Sequence, residues 1–89
     1  MVTVDVAREW LRIDGNDNDQ IIEGLLLAAS SYIEVATGMK TEEQRQEPLA
    51  DTVTKFLLTL WYNAEQSESD RLQRTIDNLL KALTLKKNE

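Results

Sequence analysis

Val4-Asp5-Val6-Ala7-Arg8-Glu9-Trp10-Leu11-Arg12-Ile13-Asp14, the turn Gly15-Asn16-Asp17-Asn18-Asp19-Gln20, and Ile21-Ile22-Glu23-Gly24-Leu25-Leu26-Leu27-Ala28-Ala29-Ser30-Ser31-Tyr32-Ile33-Glu34-Val35-Ala36-Thr37-Gly38 together decide the fold. At about 100° per residue, Val4, Val6, Ala7, Trp10, Leu11 and Ile13 share one wide apolar arc, while Asp5, Arg8, Glu9 and Arg12 fall opposite. Thr3 is placed to cap this first helix, which runs to Leu11 or Arg12. Asp14-Gly15-Asn16 then offers side-chain-to-backbone turns and a glycine that tolerates positive φ, so the helix stops there. Asp17 with Gln20 three residues later is a capping-box variant, predicting a second helix from about Asn18 to Thr37 with Asp17 as its N-cap. Its core stripe is Ile22, Leu25, Leu26, Ala29, Tyr32, Ile33 and Ala36, and Gly38 is its left-handed terminator. Leu27 lies nearly opposite that stripe, with Gly24 and Ser31 one turn to either side, a pattern suited to a close helix contact.

Working outward, Met39 to Glu47 is polar and lacks apolar periodicity, which predicts a loop with room for one helical turn. Pro48 suits the start of a new helix. That third helix, about Leu49 to Gln66, is expected to bury Leu49, Val53, Phe56, Leu57, Leu60 and Ala64. Leu58 and Tyr62 fall outside its stripe and Trp61 at its edge. Ser67 or Ser69 is placed to cap a last helix with the stripe Leu72, Ile76, Leu79, Leu80 and Leu83, fraying from Thr84 to Glu89. The expectation is a single all-α domain over residues 1–89, an antiparallel bundle of three to four helices with a short N-terminal helix packed across the others.

Eighty-nine residues without cysteine or histidine cannot make disulfides, thiolate or imidazole chemistry, or the usual zinc sites. The N-terminus has no basic start followed by an apolar run, and the longest apolar run, Leu25 to Ala29, is far too short to span a bilayer, so a soluble cytoplasmic chain with no membrane partner is expected. The formal charge of −6 is uneven: no Lys or Arg occurs between Arg12 and Lys40, where Asp14, Asp17, Asp19, Glu23 and Glu34 fall. Such a surface repels phosphate, which argues against tight DNA binding but allows an acidic wall beside DNA.

Asp14, Asn16 and Asn18 alternate as in a calcium loop, but the register fails. Asp19 stands where the loop needs glycine, and Leu25 where it needs a bidentate Glu. Helix capping explains the cluster better. With no Gly-rich phosphate loop and no positioned nucleophile or acid–base pair, no catalytic, cofactor or metal residues are assigned and no enzyme is expected. The helix–turn–helix spacing is a poor DNA reader, because its second helix opens on acids and carries no cation. Trp10 is assigned to the core. Leu27, Leu58 and Tyr62, each off its helix's stripe, are assigned with Gly24 and Ser31 to a second surface buried between subunits.

The run from Val4 to Gly38, together with Leu57-Leu58-Thr59-Leu60-Trp61-Tyr62, resembles the small head–tail connector proteins of tailed bacteriophages and prophages, often labelled as DNA-packaging proteins. The resemblance implies a virion assembly protein whose copies form a homo-oligomeric ring of about a dozen subunits under the portal protein. The ring would extend the channel through which DNA passes and present a docking surface for the next neck or tail protein. It implies a chain made in the bacterial host cytoplasm and ending in the virion neck, with a portal-contacting segment mapping onto about Leu79 to Lys87, in particular Leu83, Leu85, Lys86 and Lys87. The alternative is a small cytoplasmic helical adaptor or regulator that binds a protein partner as a monomer or dimer.

Overall fold

The computed structural model describes residues 1–63 and 66–88. Within them the chain is all-α: α1 (Val4–Leu11), α2 (Asp19–Thr37), α3 (Thr41–Gln44), α4 (Pro48–Leu58), a π-helical turn (Thr59–Asn63) and α5 (Gln66–Lys87). Ala64, expected in the third helix's core, lies outside the described residues.

Side chains and backbone turns set the helix ends. Thr3 Oγ1 accepts from the Val6 N–H at 3.2 Å, and α1 ends with Arg12 in the left-handed region at φ 58°. The start of α2 departs from expectation. Asn18, not Asp17, occupies the N-cap position, and it makes no side-chain capping bond. Its Nδ2 instead donates to the Tyr62 hydroxyl at 3.0 Å. Asp17 is exposed. Asp19 faces Arg8 Nε at 3.3 Å, and Arg8 also meets Asp5, so the acidic turn joins α1 to α2. Gly38, at φ 80°, ends α2 and donates its N–H to the Glu34 carbonyl at 2.7 Å. Pro48 opens α4, and the Glu47 carboxylate accepts from the Leu49 N–H at 3.2 Å. α5 already includes Ser67 and Ser69, so neither is its cap.

The polar segment after α2 holds one helical turn, α3, secured by a buried knot. Gln44 donates to the carbonyls of Ser30 at 3.0 Å and Met39 at 2.9 Å, and its own carbonyl accepts from Ser30 Oγ at 3.1 Å. A buried amide is tolerable only when it is satisfied in this way. With Ser30 and Thr37 covered, the buried stripe of α2 rotates toward them. Ile22, Ala29 and Ile33 are buried, but Tyr32 and Ala36, both expected inside, are exposed.

Helix directions follow from who meets whom. Tyr62, just past α4, bonds Asn18 at the start of α2, while Lys86 and Lys87, at the end of α5, meet Glu47 and Glu43 just before and within the segment leading to α4. So α4 runs antiparallel to both α2 and α5, and these three helices pack against one another with α1 across α2 and α4. α4 serves two apolar clusters. Ala29, Ile33, Val53, Leu57, Ile76, Leu80 and Leu83 form one, and Val2, Ala7, Leu11, Ile22 and Leu58 form the other. The second exists because α1 covers a side of α4 that a bundle without it would leave bare. Trp10, assigned to the core, is corrected to the rim of this contact and is 42% exposed. It donates Nε1 to Thr59 Oγ1 at 2.8 Å and leans on Phe56, with the Lys55 ammonium 5.5 Å from its ring.

Candidate subunit-facing surface

Once Ile22, Ala29 and Ile33 turn inward, helical geometry forces the residues opposite them outward. Leu27 is 73% exposed, Val35 88% and Ile21 57%, and Gly24, Ala28 and Ser31 are exposed between them. These residues cover a continuous face of α2 that contains no charge, edged by exposed Glu23 and Glu34. A Cβ built on Gly24 meets nothing within 4 Å. No packing within the chain requires glycine there, although in mid-helix it costs about 1 kcal/mol relative to alanine. Beside Leu27, the N-terminal residues Met1, Val2 and Val4 and α2 residues Glu23 and Leu26 line a shallow apolar groove.

The candidates assigned from sequence divide into two groups. Gly24, Leu27 and Ser31 share the outer face of α2. Leu58 is fully buried against Ile22 and Leu11, and half-buried Tyr62 packs on the same cluster, so neither belongs to that face. They fell outside the predicted stripe of α4 because that stripe allowed for one packed side, and α1 supplies a second. An extension of the face went unread in the sequence. Tyr32 meets Trp61 of the π-helical turn edge-on, ring centroids 5.8 Å apart, and both rings are partly exposed. The Ile21, Ala28, Tyr32, Val35 spacing on the outer side of α2 was the available signal.

At the end of α5, Leu83 is fully buried and Leu85 is 69% exposed. Lys86 Nζ lies 3.3 Å from Glu47 and Lys87 Nζ 2.7 Å from Glu43. The hydrogen bond from Lys87, with another from the Lys40 N–H, holds the Glu43 carboxyl below its ordinary pKa. Among the described residues no group of three or more acids, cysteines or histidines could hold a metal ion, and no helix is long and apolar enough to cross a membrane.

A model of the phage gp6-like head-tail connector proteins matches residues 1–87. The chain belongs to that family. Membership makes the connector a structural component of the virion, at the junction of head and tail. The match extends through α5, well past the forty or so residues in which the sequence resemblance is most evident. No match was found among curated proteins or solved structures.

Proposed function

We propose that the connector acts as one subunit of a closed ring seated on the portal protein, lengthening the DNA channel and offering its far side to the next neck or tail protein. Family membership supports the location, and the exposed, uncharged outer face of α2 carries the step from location to ring. A ring of one protein needs each subunit to present surfaces its neighbours cover, and a lone 10.2 kDa domain has no internal use for Leu27, Val35 and an unpacked Gly24 on one side. The work is assembly, without bond-making. The net charge of −6 suits a channel wall, since a surface that repels phosphate lets DNA slide where a basic one would retain it.

The portal-contacting role proposed for the end of α5 falls on Leu85, Lys86 and Lys87, with buried Leu83 anchoring the helix beneath them. To meet a portal carboxylate, the lysines exchange Glu47 and Glu43 for it, an exchange of similar surface pairs that costs little. In the host cytoplasm before assembly, the same pairs keep the helix end docked on its own subunit.

Electron microscopy of the purified connector, alone and with portal, tests the reading. Closed rings are expected, and Leu27→Asp should abolish them while leaving the circular dichroism spectrum unchanged. A species that stops at a monomer or dimer even with portal present would favour the small adaptor instead.

A further inference from the structure

We infer that the outer face of α2 docks on the outer face of α5 of the next copy, a head-to-tail contact in which Glu23 and Glu34 receive Arg71, Arg74 and Lys81. The inference rests on the ring reading and specifies the two surfaces that meet. α2 carries Asp19, Glu23 and Glu34 and no cation, whereas α5 carries five cations against three acids. Arg71, Arg74, Asn78 and Lys81 follow the 3-4-3 spacing that places them on one side of α5, and all four are exposed. Asp70 and Asp77 border that side, each four residues ahead of a cation. Yet among the described residues Arg71, Arg74 and Lys81 have no carboxylate within ion-pair distance, and neither Glu23 nor Glu34 has a cation.

Charge decides which occupant fits. Two α2 faces pairing with each other would bring Glu23 and Glu34 of both copies together with no Lys or Arg between Arg12 and Lys40 to offset them. The α5 face offers the opposite sign at matching intervals: Glu23 and Glu34 are about 16 Å apart along their helix, Arg71 and Lys81 about 15 Å. The long stems of Arg and Lys can lie over Ile21, Gly24 and Ala28 while their heads reach the acidic edge. Because α2 and α5 pack on each other through their inner sides, their outer faces point in different directions and cannot meet within one subunit. Each copy is left with one donor and one acceptor surface, which is the requirement of a heterologous ring contact.

Charge reversal tests the pairing, read by sedimentation velocity and electron microscopy at concentrations where the wild type assembles. Glu23→Lys with Glu34→Lys, and separately Arg71→Glu, Arg74→Glu with Lys81→Glu, should each weaken self-association at least about tenfold, as like charges then face each other. Mixing the two variants should restore assembly as alternating copies, since each then offers the sign the other lacks. The combined variant carrying all five changes should assemble with itself, which also shows that the exposed substitutions leave the fold intact. Reversals that leave rings unaffected overturn the pairing but not the ring. Loss in both single sets without rescue by mixing or combination overturns the pairing and assigns the α2 face to another partner, such as the portal. Charge-dependent association that stops at open chains keeps the pairing and refutes the ring, and a wild type that stays monomeric at millimolar concentration even with portal present refutes both.

Discussion

Truncating Leu58 and Leu27 separately should give opposite results, although both are leucines on helices and both lie off the stripe their own helix predicts. Leu58 has no exposed surface and fills the space among Ile22, Leu11 and Ala7. Leu58→Ala removes its methyl groups from that cluster and leaves a cavity that α1 can only partly close, a change that costs about 3 kcal/mol. A chain of this length has about 4–13 kcal/mol of stability in total, so the loss is a large fraction of it. At roughly 4–8 °C per kcal/mol for a domain of this size, the melting temperature should fall by roughly 12–24 °C. Leu27→Ala, at a side chain 73% exposed, should stay within about 0.5 kcal/mol of the wild type. Urea unfolding followed by circular dichroism at low protein concentration separates the two, because assembly then contributes nothing. The reasoning is refuted if Leu58→Ala unfolds like the wild type, or if Leu27→Ala loses several kcal/mol as a monomer.

Gly24→Ala should stabilise the isolated subunit by about 0.5–1 kcal/mol, since the added methyl meets nothing, while weakening ring formation; reduced stability together with normal rings would contradict both halves. Thr3→Ala should cost about 1 kcal/mol through the lost cap of α1, and Asp17→Ala should be close to neutral, with thermal melts of both variants as the check. Because the folded-state pKa of Glu43 is lowered, its contribution to docking the end of α5 is present above its unfolded value of 4.5 and is lost as pH falls through the lower folded value. An NMR titration should show the Glu43 pKa rising when Lys87 is replaced by Met, and no change would remove Lys87 as the principal cause. Gln44→Ala should destabilise by about 2 kcal/mol, because the carbonyls of Ser30 and Met39 lose their buried donor.

The all-α class, the Thr3 start of α1, the Gly38 stop and the Pro48 start were legible because each depends on local chemistry that a few adjacent residues declare, whereas α1 ends at Arg12 in the left-handed region, ahead of the Asp14-Gly15-Asn16 turn expected to stop it. What failed depended on neighbours distant in sequence. Leu58 and Trp10 exchanged their expected environments because α1 crosses α4, and no periodicity within α4 records that crossing. Asp17 satisfied the capping spacing, but Asn18 and Asp19 were drawn into bonds with Tyr62 and Arg8, and those two tertiary partners displaced the cap by one residue. The Ser30–Gln44 knot was invisible for the same reason: a polar residue in a polar segment reads as solvated until the helix that covers it is placed. At the candidate surface the departure from a helix's own stripe was legible but did not decide the environment: Leu27 beside Gly24 and Ser31 is exposed, whereas Leu58, off its stripe in the same way, is buried under α1.

The surface the subunit leaves open fits a protein completed by its neighbours. A compact monomer of 10.2 kDa exposes about 5,300 Å². The connector exposes 5958 Å² and is flat, 40 × 30 × 17 Å, with α2 and α5 showing their outer faces in different directions. In so flat a molecule no helix covers the outer side of α2, so apolar surface that a thicker bundle would enclose, on Ile21, Leu27, Val35 and the Tyr32–Trp61 pair, stays exposed or partly exposed. In the proposed ring each copy would bury surface on two sides at once, and contacts made only by the folded chain add to its stability. Rings should therefore melt at a higher temperature than dilute subunits, with a melting point that rises with protein concentration. A melting point independent of concentration across the range where rings form would mean that the exposed face contributes no stability on assembly.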